Sequence, residues 1–202
     1  MKAVEQLVNA LGRAIEFALT GQSGYQLATS EFLSSSTIDG SVQARLAMDE
    51  VLPELAEGFS IRLSWPVLLE LGRPQGLGWK ASLYHAEGNM GRYSPQDLGK
   101  GKRAHQVTVV PGLARPRFRS ILAHELVHAY QHEHKILTRN VALREGMARW
   151  VEYHVLLRSG CTAEAQRLLK IRHYMFGKAI RSVLEHEKNH GREKTLAWLH
   201  TE

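Results

Sequence analysis

Apolar side chains repeat at helical spacing in two stretches near the start of the chain. In residues 4–19 they recur every three or four positions, which predicts an amphipathic helix, and residues 41–57 repeat the pattern. Pro53 predicts a break or a new first turn within the second helix, and Gly58 predicts its end.

The stretch between these helices has the composition of a linker. Residues 20–41 contain the run Ser34-Ser35-Ser36 and end near Asp39-Gly40. Glycine, serine and aspartate favour turns and loops. The sequence therefore predicts a helix and linker over residues 1–40 and a single domain over residues 41–202.

The apolar period changes from helical to alternating after Gly58. Alternation of apolar and polar side chains predicts a half-buried strand at Phe59–Trp65. We expect two further strands at Ser82–Ala86 and His105–Val110, with a glycine-rich loop over residues 87–104 between them.

Helical spacing dominates from Pro116 onward. The apolar repeats, with Gly177 as a weak point inside the third, predict four helices, at residues 117–135, 141–159, 163–189 and 192–200. Strands followed by helices indicate the α+β class. We expect a small, mainly antiparallel sheet packed on helices and a helical C-terminal half.

Length and composition are those of one globular domain, with 202 residues, of which 44% are hydrophobic and 23% charged. The one cysteine, Cys161, excludes an intrachain disulfide and a cysteine-rich zinc module, and favours a reducing compartment. No apolar run reaches the roughly 20 residues of a membrane span. Glu5, Arg13 and Glu16 interrupt what would be the core of a signal peptide. These features predict a cytoplasmic protein.

Positive charge is concentrated in the second half of the chain. Residues 1–99 hold 7 basic and 11 acidic side chains, whereas residues 100–202 hold 19 basic and 9 acidic. This asymmetry raises the question of an acidic partner, nucleic acid above all. One basic group brackets the third predicted strand and the start of the next helix: Lys100, Lys102, Arg103, Arg115, Arg117 and Arg119.

The helix predicted at residues 117–135 contains the motif His124-Glu125-Leu126-Val127-His128. Residues four apart share a helix face, so His124 and His128 can bind one metal ion from adjacent turns. Glu125 is offset from His124 by about 100° around the helix and can reach a metal-bound water without binding the metal. Because zinc lowers the pKa of such a water to about 7, the carboxylate can take its proton as it attacks a carbonyl. This is the HExxH pattern of zinc-dependent peptidases.

A catalytic zinc takes three protein ligands and leaves one position for water, so a third ligand is needed. His132 is a poor candidate, because eight residues of helix place it about 12 Å from His124. Glu145 is the better candidate, since a short turn ending at the N-cap Asn140 makes the next helix a neighbour of the first. Alternatively, Glu145 only stabilises the start of its own helix. We expect one zinc ion per chain, bound by Glu145 and the two motif histidines.

Five segments carry a family resemblance that covers about residues 40–200. They are Val107–Leu113, Ser120–Ala129, Arg144–Gly146, Phe176–Gly177 and His190–Leu196. Together they resemble the peptidase domain of the LIM-domain, ubiquitin-activated peptidases that limit organ size in plants, and the stand-alone bacterial proteins related to that domain. HExxH with a downstream Glu is, more widely, the pattern of the gluzincins.

The resemblance implies a zincin-like gluzincin fold and a zinc metalloendopeptidase, with the two histidines and Glu145 as ligands and Glu125 as general base. Arg144 stands where the family has the first of two acids, while the ligand position, Glu145, is kept. The chain lacks the cysteines of a LIM module, so ubiquitin-linked regulation is not carried over. Residues 1–40 lie outside the resemblance.

Further site candidates lie in the C-terminal helices. Peptide hydrolysis needs a group that stabilises the oxyanion, and gluzincins use a His or Tyr from the C-terminal half. Tyr174, in His173-Tyr174, is the closest candidate, followed by Tyr153-His154. Alternatively, Tyr174 is an ordinary core or surface aromatic residue. Glu152 falls on nearly the same helix face as Glu145, so it either orients a zinc ligand or is a solvated surface residue.

The main hypothesis is a peptidase acting on a protein or peptide substrate. The basic residues would favour an acidic substrate through electrostatic attraction. By analogy with zincins, the substrate would pair with the sheet edge near the metal helix, at Ser82–Ala86 or His105–Val110. The alternative is a nucleic-acid- or partner-binding protein with a structural metal or a silent peptidase. Water in the fourth metal position favours an enzyme, and a fourth protein ligand such as His132 or His154 favours a structural role. The oligomeric state stays open.

Overall fold

The computed structural model of the chain describes residues 37–73, 90–136, 140–170 and 174–201, with the backbone alone for residues 174–176. Two predictions fall outside these ranges. One is the N-terminal helix with most of its linker, and the other is the strand at Ser82–Ala86.

Five strands and six helices make up the described part of the chain. The strands are β1 (Thr37–Ile38), β2 (Val67–Leu71), β3 (Gly91–Asp97), β4 (Arg103–Val109) and β5 (Leu113–Ala114). The helices are α1 (Ser41–Phe59), α2 (Arg115–His134), α3 (Val141–Arg158), α4 (Thr162–Leu169), α5 (Tyr174–His190) and α6 (Arg192–Thr201). A small sheet and a helical C-terminal half confirm the predicted α+β class.

β4 is the central strand of a three-stranded sheet in the order β2-β4-β3. β2 runs parallel to β4, with Val67 opposite His105, and β3 runs antiparallel to it, with Tyr93 opposite Val107. β1 and β5 form a separate antiparallel pair. The larger sheet is therefore mixed rather than mainly antiparallel, and among the described strands β3 forms one of its edges.

The strand predicted at Phe59–Trp65 is wrong, because α1 extends to Phe59 and residues 60–66 are irregular. Ser60 ends the helix in the left-handed region, with φ of 53°, and its N–H donates to the Leu55 carbonyl. Both neighbours of Ser60 are buried in the core, while Ser60 itself is exposed. Buried and exposed residues thus alternate in this segment although it is not a strand, which explains the alternating sequence pattern.

The loop predicted over residues 87–104 contains β3. Its sequence includes Gly91 and Pro95, and both residue types ordinarily weaken a strand assignment. Pro95 has no N–H to donate, which an edge strand tolerates. The strand predicted at His105–Val110 is confirmed as β4, but it is the central strand and not the expected edge.

The helix predictions are confirmed for α2, α3 and α6, whose ends lie within two residues of those expected. The predicted break at Pro53 is wrong, because α1 continues through it with the ring on the exposed side. The predicted helix 163–189 is divided into α4, which ends at Leu169, and α5, which begins at Tyr174. The division therefore precedes Gly177.

α2 lies at the centre of the described fold, packed against α1, α3, β3 and β4. α3 lies between α2 and α5. A Cβ on Gly146 would come within 2.9 Å of the Ala179 Cβ on α5, so glycine permits this close approach. Among the helices that the structure describes, none is long and apolar enough to cross a membrane.

Candidate metal centre

Two neighbouring helices bring three metal-ligating side chains to one point. His124 and His128 lie one turn apart on α2, and Glu145 lies early in α3. The N-cap Asn140 accepts a hydrogen bond from the Leu143 N–H at 3.1 Å and fixes the start of α3, as predicted. Ligand atoms of the three side chains all lie within 4.8 Å of one another.

The distances between these ligand atoms suit a zinc ion. His124 Nε2 lies 3.2 Å from His128 Nε2 and 3.7 Å from Glu145 Oε2, while His128 Nε2 lies 3.4 Å from Glu145 Oε1. Tetrahedral zinc with bonds of about 2.0–2.1 Å separates its ligand atoms by about 3.3 Å. Two imidazole nitrogens and one carboxylate therefore fit a catalytic zinc site that has one open position.

The outer nitrogen of each histidine is held by an acceptor. His124 Nδ1 lies 3.1 Å from Glu152 Oε2, and His128 Nδ1 lies 2.8 Å from Gln131 Oε1. The Gln131 amide in turn donates to the Arg144 carbonyl at 2.9 Å, which leaves its oxygen facing His128. Both protons are therefore held on Nδ1, and both Nε2 lone pairs are free for a metal.

Glu152 is buried, with 4% of its surface exposed, so it is not a solvated surface residue. One of its oxygens faces His124, and the other accepts from Arg117 Nη1 at 3.0 Å. Burial by itself raises the pKa of Glu152, but His124, Arg149 and Arg117 lower it below its ordinary value. Gln131, which plays the matching part for His128, was not predicted. Its position three residues after His128 is the only sequence signal that points to it.

The charges of the site call for a cation between the ligands. Burial lowers the pKa of His124, but hydrogen bonds to Glu145 and Glu152 outweigh it and raise that pKa to about 10. Burial lowers the pKa of His128 to about 4. Burial raises the pKa of Glu145, but His124, His128 and Arg149 lower it well below its ordinary value. The carboxylates of Glu145 and Glu152 therefore favour a positive charge at this point, as a bound metal ion would supply.

Glu125 lies beside the ligands, between α2 and β3. It is buried, and the Tyr93 backbone N–H donates to its carboxylate. Burial is the main cause that raises the pKa of Glu125 to about 7, with Glu145 and Glu152 adding to it and His124 opposing it. A Cβ on Gly91 would come within 2.7 Å of Glu125 Oε1, so β3 packs directly on this carboxylate.

The other histidines proposed near the centre are engaged elsewhere. His132 is exposed, with ring contacts to Trp65 and Tyr93 at 6.0 and 5.9 Å. His154 Nε2 lies 2.7 Å from Glu187 Oε2, away from the three ligands. Within the described ranges, therefore, the metal-ligand group comprises His124, His128 and Glu145, with no fourth member. His173 and the side chain of Tyr174 lie outside what is described.

A second buried polar group, which sequence reasoning missed, adjoins the centre. His105 on β4 is fully buried, and its Nε2 lies 2.9 Å from Glu133 Oε2. Its Nδ1 lies 3.3 Å from the Tyr93 hydroxyl. Glu133 also accepts from the Ser64 backbone N–H at 2.9 Å. This group connects β4, α2 and the segment after α1 to β3, the strand that packs on Glu125.

Half of the basic group noted in the sequence is paired with carboxylates. Arg115 pairs with Glu50, Arg117 with Glu152, and Arg119 with both Glu50 and Glu54. These three arginines connect the start of α2 to α1 and α3. Their charge is largely neutralised inside the fold and does not form an open basic surface.

Comparisons with protein-family models, with curated proteins and with solved structures give no match to this chain.

Proposed function

We propose that the chain is a zinc-dependent metalloendopeptidase of the gluzincin type with a zincin-like fold. The observation that carries the proposal is the convergence of His124, His128 and Glu145, whose ligand atoms lie within 4.8 Å of one another. Each histidine is oriented by its own acceptor, and a buried carboxylate lies alongside. Chance HExxH sequences on a helix have no reason to be supported in this way.

The proposed reaction is the attack of water on a peptide carbonyl. Zinc held by the three ligands would supply Lewis acidity and would lower the pKa of the attacking water. Glu125 accepts the proton of that water and delivers it to the leaving amine. Burial raises the pKa of Glu125 above its ordinary value, and a carboxylate with a raised pKa takes up a proton more readily near neutral pH.

The position of β3 supports a peptide as the substrate. β3 forms a sheet edge among the described strands and packs on Glu125. An extended peptide that paired with such an edge would run past the metal centre. This part of the proposal is an analogy with other zincins. The sheet edge expected to pair with the substrate is therefore β3, Gly91–Asp97, rather than His105–Val110.

Two observations argue against the alternative of a structural metal in a nucleic-acid-binding protein. The described residues supply three ligands and no fourth, which is the composition of a catalytic site. Arg115, Arg117 and Arg119 are paired with carboxylates and so are not available to phosphates. A cytoplasmic location stays a prediction from the sequence.

The proposal is tested by incubating the zinc-loaded protein with a broad peptide mixture and identifying new chain ends by mass spectrometry. Wild type is expected to produce zinc-dependent cleavages, and Glu125→Gln is expected to produce none while still binding zinc. Cleavage by Glu125→Gln at the wild-type rate would contradict the proposed role of Glu125.

A further inference from the structure

Arg149 lies on the face of α3 that carries the metal centre. It follows Glu145 by one turn and precedes Glu152 by three residues, so the three side chains share a stripe of the helix. Glu145 and Glu152 both contact the His124 ring, from the metal side and from the outer side. The stripe that carries Arg149 therefore faces α2 at the site.

The Arg149 guanidinium is close to two carboxylates but is paired with neither. Its positive charge contributes to the lowered pKa of both Glu145 and Glu152. Its Nε is buried and has no hydrogen-bond partner. Within the described part of the chain, the side chain makes no ion pair. Arg117 differs in this respect, because it donates directly to Glu152.

A buried N–H donor without a partner is unfavourable. Arg119 Nε is unpartnered too, but the Arg119 guanidinium pairs with Glu50 and Glu54, whereas among the described residues the Arg149 guanidinium has no carboxylate partner and is left for one that arrives with a ligand.

Glu152 and Gln131 are already engaged with the two histidines. A guanidinium binds carboxylates through two parallel N–H donors, which makes it selective for that group. With a divalent ion in place, Arg117, Arg144 and Arg149 would leave the site two positive charges in excess over Glu125, Glu145 and Glu152.

We propose that Arg149 binds a carboxylate of the peptide held at the metal centre and so gives the site a preference for acidic substrates. The carboxylate comes either from an acidic side chain near the scissile bond or from the end of the peptide chain. The inference rests on the proposed metallopeptidase function. It assigns the selection of acidic substrates to a residue beside the metal, rather than to the basic group at the start of α2.

The test uses zinc-loaded full-length protein and three dipeptide hydroxamates, which bind zinc without being hydrolysed. One is neutral, with Asn and an amidated end. The second has Asp in place of Asn, and the third keeps Asn but has a free terminal carboxylate. Calorimetry is expected to show that wild type binds one acidic probe about tenfold or more tighter than the neutral probe.

Arg149→Met is expected to bind the acidic and the neutral probes with about equal affinity, and Arg149→Lys is expected to restore part of the preference. Arg167→Met, on the exposed side of α4, is the matched control and should keep the preference in full. The acidic probe that wild type prefers identifies the source of the carboxylate. Zinc content and circular dichroism of Arg149→Met verify that the variant is folded.

Failure of this inference is distinguishable from failure of the proposed function. Equal binding of all three probes to wild type, or an unchanged preference in Arg149→Met, would overturn the role of Arg149 and leave the metal centre intact. If no probe binds to protein incubated with zinc, the metal centre and the inference both fail. Because the hydroxamates report binding alone, an absence of peptide cleavage would not affect the result for Arg149.

Discussion

The Gly91 Cα lies so close to Glu125 that a side chain would not fit between them. A Cβ at Gly91 would stand 2.7 Å from Glu125 Oε1 and 2.7 Å from Ile121 Cγ2. The proposed general base is thus positioned by a strand that approaches it with no side chain in the way. The HExxH motif alone does not reveal this constraint.

Gly91→Ala is expected to displace Glu125 and to lower the rate of peptide cleavage by about 100-fold, since displacements of about 1 Å have effects of that order. Zinc content should be unchanged, because the new Cβ would meet Glu125 and Ile121 and none of the three ligands. Cleavage rate and zinc content are measured together. The matched control is Gly72→Ala, directly after β2, whose Cβ would meet Thr108 at an ordinary 3.7 Å. Wild-type activity in Gly91→Ala would contradict the proposed positioning of Glu125.

Glu152→Ala and Gln131→Ala are each expected to weaken zinc binding by about 10- to 100-fold, because each removes the group that orients a ligating imidazole. Competition with a fluorescent zinc chelator measures the affinity. Glu193→Ala, at an exposed position on α6, is the control and should bind zinc as wild type does. Unchanged affinity in both orienting variants would show that these contacts do not support the metal centre.

The Glu133–His105 pair is expected to make stability depend on pH. Burial raises the pKa of Glu133, but hydrogen bonds from Ser64 and His105 outweigh it and lower that pKa below its ordinary value of 4.5. A carboxylate with a lowered folded-state pKa stabilises the fold above its unfolded-state pKa, and this stabilisation is lost as the pH falls through the folded-state value.

Glu133→Gln should therefore lower the free energy of unfolding by about 1–3 kcal/mol at pH 7, as loss of a buried charged hydrogen-bond acceptor does. Near pH 3 the difference between variant and wild type should become smaller. Urea unfolding at both pH values measures it. A difference that grew on acidification would mean that Glu133 does not carry the lowered pKa. Glu57→Gln, at an exposed position on α1, is the control.

Local spacing explains what the sequence could predict. His124 and His128 share a helix face by periodicity, and Asn140 fixes where the next helix begins. Only a few residues separate α2 from α3, so the two helices are expected to be neighbours, and this suffices to select Glu145. Each of these steps uses residues close together in the chain.

The remaining features depend on contacts between distant residues, which composition conceals. The sequence predicts a loop around β3 because glycines are frequent there, yet Gly91 is required where the strand meets α2. The alternation of apolar and polar residues after Ser60 belongs to an irregular segment in which burial alternates, not to a strand. The contact between His105 and Glu133 joins residues 28 positions apart and left no periodic signal.

The central claim is that His124, His128 and Glu145 hold one zinc ion. Its most direct test is the zinc content of purified protein, measured by plasma mass spectrometry after dialysis, for wild type, Glu125→Gln and His124→Ala/His128→Ala. We expect one zinc per chain in wild type and in Glu125→Gln, and a content near zero in the double variant. Stoichiometric zinc retained by His124→Ala/His128→Ala, or none in wild type supplied with zinc, would contradict the account.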